Sequence, residues 1–122
     1  MKTINIRKEE LDRLADTCCR VFEVNIEDFY NKSRKRKAVD SRRTYFHILK
    51  TFFNINELEL STKVPFTLDR TTIMYAVDTA DDFIECDADF RDRYNKIYKK
   101  FTGDTYLRSE RLKRRNIKQK NR

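Results

Sequence analysis

Glycine is nearly absent from this sequence: Gly103 is the only one in 122 residues. A Walker-type phosphate loop and a dinucleotide fingerprint each need several glycines for close backbone approach to phosphate, so nucleotide hydrolysis by the usual loop is excluded. Histidine is as scarce. His47 stands alone, there is no C-x-x-C pair, and a bond between the adjacent Cys18 and Cys19 would be strained. A structural zinc site therefore has too few ligands, and an odd count of three cysteines agrees with a reducing compartment. No apolar run approaches the roughly 20 residues that span a bilayer, and the N-terminal stretch MKTINIRKEELDRL lacks the apolar centre of a signal peptide. These absences predict a cytoplasmic protein without a cofactor, a metal or a membrane partner.

Charge is what the sequence has in abundance. Charged residues make up 39% of the chain, as do hydrophobic ones, which suits one small helical domain with a thin core coated by long side chains. The net charge of +8 is unevenly spread. Lys32 to Lys50 carries eight basic residues against Asp40, and Arg108 to Arg122 carries eight more against Glu110. Between these blocks, Asp78 to Asp92 holds seven acids against Arg91. A single charge run is ordinarily a solvated face, but two basic blocks in so small a protein favour a polyanionic partner. Neither block has the apolar flank of a membrane-surface helix, so nucleic acid is the better match.

Apolar spacing predicts an all-α domain. Leu11, Leu14, Ala15, Cys18 and Phe22 place a helix over about 7–22, with Cys18 as a small core residue. Asn25 followed by Asp28 opens a short second helix to about Asn31, and KSRKRK follows as a loop or first turn. Tyr45/Phe46, Ile48/Leu49 and Phe52/Phe53 define a third helix over about 38–53, with His47 as a surface or hydrogen-bonded histidine among aromatics. A short fourth helix, capped by Asn54 or Asn56, ends before Pro65. Ile73, Val77, Ala80 and Ile84 place a fifth over about 69–85, with Asp78, Asp81, Asp82 and Glu85 as a solvated back. Phe90, Tyr94, Ile97, Tyr98 and Phe101 place a sixth, stopped by Gly103. The expected architecture is a compact bundle of about six helices over 1–103 and a basic tail over 104–122. That tail is a frayed helix, a disordered arm or a segment ordered on a partner, and serves either as a phosphate clamp or as a solubilising arm.

The fourth and fifth helices, joined around Pro65, form a helix-turn-helix candidate whose second helix opens with TLDRTTIMYAV. In that motif the first residues of the second helix meet base edges in the major groove. Asp accepts from cytosine, Arg bonds guanine twice, and Thr offers a methyl and a hydroxyl. Asp69 can also cap the helix, a role compatible with reading.

From about Leu14 to Phe101 the chain resembles the C-terminal duplex-binding domain of the bacterial replication initiator DnaA. The stretch LADTCCRVFEVNIEDFYNKSRKRKAVDSRR is similar to that family's first two helices, basic loop and third-helix start, and DRTTIMYAVDTADDF resembles its signature Asp-His-Thr-Thr-Val. The resemblance implies that Arg34 enters the minor groove with Lys32 and Arg36 beside it. It implies further that Arg42 binds phosphate, with Arg43 in place of a neighbouring glutamine, and that Asp69, Thr71 and Thr72 approach the major groove. Arg70 replaces the family histidine with a longer permanent cation, which implies a different preferred sequence. Asp40 replaces a family arginine, which removes a backbone contact and adds repulsion, and FTL replaces two glycines and an arginine before the signature, leaving the angle between helices four and five open. The initiator's ATPase module has no counterpart, so ATP-driven assembly is not implied.

The resulting expectation is a non-enzymatic reader of double-stranded DNA, one monomer per site, acting in replication or transcription. A small protein rich in lysine and asparagine suits a phage or mobile element, working in the host cytoplasm or nucleoid. The competing expectation is an interaction module that kept the fold and binds a protein, such as a host replication protein or a virion component.

Overall fold

The computed structural model describes residues 8–31, 33–56, 59–61 and 70–103. Every regular element among them is an α-helix: α1 Lys8–Phe22, α2 Ile26–Tyr30, α3 Arg36–Thr51, α4 the helical residues 59–61, α5 Arg70–Cys86 and α6 Ala88–Thr102. The all-α bundle of six helices expected from apolar spacing is what forms. The turn around Pro65 and the tail 104–122 lie outside the described residues, as do Lys32 and Asp69.

The ends of the helices follow from local chemistry. Beyond α1, Glu23 adopts a left-handed conformation (φ 60°) that lets Val24 N–H reach Cys19 O at 2.8 Å, closing the helix as glycine normally would. α2 starts after Asn25 as expected, although the Asn25 side chain makes no capping bond. α3 begins at Arg36, two residues before its apolar pattern, so the end of KSRKRK is its first turn. Of the two asparagines expected to start the fourth helix, Asn54 is the left-handed residue that follows α3 (φ 60°), and Asn56 Oδ1 accepts from Glu59 N–H at 2.9 Å. Asp87 caps α6 by accepting from Phe90 N–H at 3.1 Å, and Gly103 (φ 81°) ends it with its N–H on Lys99 O at 2.8 Å.

Packing is centred on α3, which buries Tyr45, Phe46, Ile48 and Leu49 against α1, α2, α5 and α6. The four apolar positions that defined the fifth helix, Ile73, Val77, Ala80 and Ile84, are the four buried residues of α5. Cys18 is buried in the core as a small apolar residue. Aromatic rings fill much of the interior, with Phe29 edge-on to Tyr45 at 5.3 Å and Tyr94 stacked on Tyr98 at 5.7 Å.

Helix direction decides where the charged surfaces fall. Arg36 meets Asp87, Arg43 lies over Phe83 and His47 meets Asp81, so α3 and α5 are antiparallel. His47 also meets Tyr94, and Phe52 approaches Tyr98 at 6.2 Å, so α3 and α6 run in the same sense. Phe22 packs on Phe90 while Arg13 lies over Phe101, so α1 opposes α6. One end of the bundle therefore carries α2, the basic loop, the start of α3 and the α5–α6 turn. The other carries the starts of α1 and α5 and the ends of α3 and α6.

Candidate nucleic-acid interface

The basic loop sits at the first of these ends and is held on both sides of Arg34. Ser33 N–H donates to Asp28 O at 3.1 Å, Lys35 N–H donates to Ser33 Oγ at 3.2 Å, and Lys35 Nζ lies 3.6 Å from Asp28. Arg34 is exposed, and among the described residues no ion pair or side-chain hydrogen bond engages it. A cation presented on a pinned loop keeps its charge for an outside partner and loses little freedom on binding.

Arg42 does the pinning. Its Nη1 donates to Asp28 O and Phe29 O at 3.0 Å each, and its Nη2 donates to Ser33 O. Those carbonyls belong to the last turn of α2 and to the loop, so one planar guanidinium closes a helix end and ties it to α3. Burial, then the neighbouring Arg43 charge, lowers the proton affinity of Arg42 from its ordinary value.

Arg36 and Arg43 converge on Asp40, at 2.9 Å and 3.1 Å. Both guanidinium carbons also lie 5.1 Å from the Phe83 ring centroid on α5, and Arg36 reaches Asp87 at 3.3 Å. Asp40, expected to act by repulsion, is a buried carboxylate that pairs with two arginines of its own helix, and those arginines carry the contact from α3 to Phe83 on α5. The spacing of Arg36, Asp40 and Arg43 permits this pairing on a helix, so the signal was readable; the Phe83 ring was not.

Arg70, Thr71 and Thr72 occupy the first turn of α5 and are exposed, while Ile73 beside them is buried and fixes the helix on the core. They stand at the end of the bundle away from Arg34. Tyr75 and Met74, one turn on, are 70% and 45% exposed. Sequence reasoning passed over both, because aromatic and thioether side chains in a helix are most often core.

Asp78 and Asp82 are exposed, as expected of a solvated back, but Asp81 is turned toward the core. Asp81 Oδ1 lies 2.6 Å from Nε2 of the fully buried His47, whose Nδ1 is 2.6 Å from Tyr94 Oη. Asp81 is only about 40° around the helix from Val77, so its carboxylate reaches the edge of the core. His47 is thus hydrogen-bonded on both ring nitrogens. Asp87 is likewise occupied, by the α6 cap and by Arg36.

Nucleophile chemistry finds little support among the thiols. Burial, then the adjacent Cys19, pushes the Cys18 thiol well above its ordinary value; burial, then Asp16, pushes Cys19 up to about 11. Cys86 is exposed. Iodoacetamide at pH 7.5 is expected to modify Cys86 alone in the folded protein and all three cysteines in denaturant, read by intact mass. Among the described residues no group of three or more His, Cys, Asp or Glu is placed to hold a metal ion, and no helix is long and apolar enough to cross a membrane.

No protein-family model matches the chain, and no solved structure matches it. The functional reading therefore rests on the residues themselves.

Proposed function

We propose that this chain binds double-stranded DNA in the manner of the DnaA C-terminal domain, as a phage-encoded regulator of replication or transcription acting in the host cytoplasm or nucleoid. Arg34 enters the minor groove, and Asp69 to Thr72 meet the major groove. The observation that carries this reading is Arg34 itself, an exposed arginine that has no ion pair or side-chain hydrogen bond among the described residues and stands between two anchored loop residues. A polar first turn on α5, backed by a buried apolar face, supports the second contact. The two regions are separated by the 16 residues of α3, about 24 Å at 1.5 Å per residue. That separation fits within one turn of a duplex, about 34 Å, so one monomer spans neighbouring grooves.

The internal pairing of Arg36, Arg42 and Arg43 refines the division of labour. Arg42 shapes the loop that presents Arg34, while Arg36 and Arg43 are tied to Asp40 and Phe83. In this reading the role of these three is to support Arg34 and meet phosphates beside it.

Affinity for duplex DNA, followed by anisotropy, is expected to fall steeply between about 50 and 200 mM salt. Arg34→Ala is expected to weaken binding by about 10- to 100-fold, the scale of one lost base contact. Selection from a random duplex pool is expected to return a motif that Arg70→His changes at one or two base pairs. An unchanged motif would show that Arg70 does not read bases.

A second reading is favoured by the exposed Tyr75 and Met74, whose chemistry suits a protein surface such as a host replication protein or virion component. A flat salt response, or no binding to any duplex, selects that alternative.

A further inference from the structure

The end of the bundle that holds Arg70, Thr71 and Thr72 carries a second basic surface, on a helix that the resemblance did not single out. α5 and α6 run in opposite senses on either side of Asp87, so the last turns of α6 lie at the same end of the bundle as the first turn of α5. Lys96, Lys99 and Lys100 are exposed there, at spacings that place them on one side of the helix. Among the described residues none of the three enters an ion pair or side-chain hydrogen bond. At the opposite end, by contrast, Lys35 faces Asp28, Arg36 faces Asp40 and Asp87, and Lys37 faces Glu23 at 3.1 Å. Carboxylates partly neutralise the basic loop, while the lysines of α6 keep their charge. α6 also ends here, at Gly103, and eight further basic residues follow in the sequence between Arg108 and Arg122.

We propose that Lys96, Lys99 and Lys100 form a phosphate-binding surface that grips the duplex backbone beside the groove met by Arg70 to Thr72. The inference rests on the duplex-binding reading above. It goes beyond that reading by assigning backbone contacts to α6, at the far end from Arg34. Ammonium groups suit this task, since each is a compact point charge that follows phosphates without demanding a fixed geometry. The rings of Tyr94, Tyr98 and Phe101 pack toward the core instead of flanking the lysines, so the apolar face of a membrane-surface helix is missing. Cations in the last turn of a helix also complement its dipole, an effect that acts on stability and leaves DNA affinity alone.

The test compares the full chain with its Lys96→Gln/Lys99→Gln/Lys100→Gln variant, and with Arg20→Gln, which removes an exposed charge from the opposite end. Duplex affinity is measured across salt concentrations on a selected and on an arbitrary sequence, alongside thermal unfolding. The triple variant is expected to make the slope of log affinity against log salt shallower by about 2 to 3. It should weaken both sequences by the same factor and leave the unfolding midpoint within a few degrees, with Arg20→Gln unchanged in slope. A wild-type slope in the triple variant, with wild-type protein still binding and still sensitive to Arg34→Ala, would overturn the α6 surface and leave the groove reading standing. Failure of the wild-type chain to bind any duplex would remove that reading and this inference with it. Vesicles of one part phosphatidylserine to three parts phosphatidylcholine are included. Vesicle binding that the triple variant loses, with duplex binding intact, would also overturn the proposal.

Discussion

Arg42→Ala is expected to lower the free energy of unfolding by about 3 kcal/mol, seen as a fall of roughly 10 °C in the thermal midpoint. Three backbone carbonyls, of Asp28, Phe29 and Ser33, share this one guanidinium. Removing it leaves acceptors at a half-buried helix end without their donor, and a hydrogen bond to a charged group contributes more than a neutral one. Arg42→Lys is expected to recover less than half the loss, since an ammonium on a flexible stem cannot serve three carbonyls in the plane of a fork. If the chain binds duplex DNA as proposed, both variants should also weaken that binding, because the loop that presents Arg34 loses its tie to α3. Urea titration together with duplex affinity at fixed salt checks both effects. An alanine variant of wild-type stability would show that water replaces the arginine at no cost and that the clamp does not organise the loop.

His47→Ala should cost about 3–4 kcal/mol, again measured in urea. The ring is 0% exposed and bridges three helices through two 2.6 Å contacts, to Asp81 on α5 and Tyr94 on α6. Its removal opens a cavity among aromatics and strips both groups of a partner. The arrangement is complete with a neutral imidazole, in which Nε2–H donates to the Asp81 carboxylate and Nδ1 accepts from the Tyr94 hydroxyl. Asp81→Asn, which keeps an acceptor for Nε2–H, is therefore expected to cost only about 1 kcal/mol, while Asp81→Ala costs about 2–3 kcal/mol. An asparagine variant as damaged as the alanine one would instead indicate a charged imidazolium held by the carboxylate.

The contrast between His47 and Asp81 shows how far a sequence can be read. Placing His47 among buried aromatics followed from its position in the third apolar stripe, and a hydrogen-bonded histidine was one of the two outcomes foreseen. Asp81 shares a helical side with Asp78, Asp82 and Glu85, and the sequence alone places all four in solvent, because charge is normally an outside feature. Asp81 turns inward because a partner on α3, 34 residues earlier, stands opposite. Asp40 repeats the lesson: its i−4 and i+3 arginines were visible in the chain, and the aromatic ring that both arginines cover was not. Asn54 and Asn56 differ in the same way. Either could begin a helix, and the end of α3 decided which one did.

Among the described residues, the sequence by itself determined which segments are helical, the apolar face each one buries and the place where α6 stops. These are properties of a 3.6-residue repeat and of single residues such as Gly103, and they are set within a few turns of chain. It also determined that positive charge lies in separate blocks. Only the tertiary structure decided which of those charges remain available. Ion pairs form between residues as distant as Arg36 and Asp87, and they depend on how helices cross and which ends meet. Antiparallel packing of α3 on α5 set Arg34 and Arg70 at opposite ends of the bundle, and the reversal between α5 and α6 brought Lys99 and Lys100 to the same end as Arg70. Periodicity is local and survives in a one-dimensional string, whereas charge neutralisation depends on distances that exist only after the helices have packed.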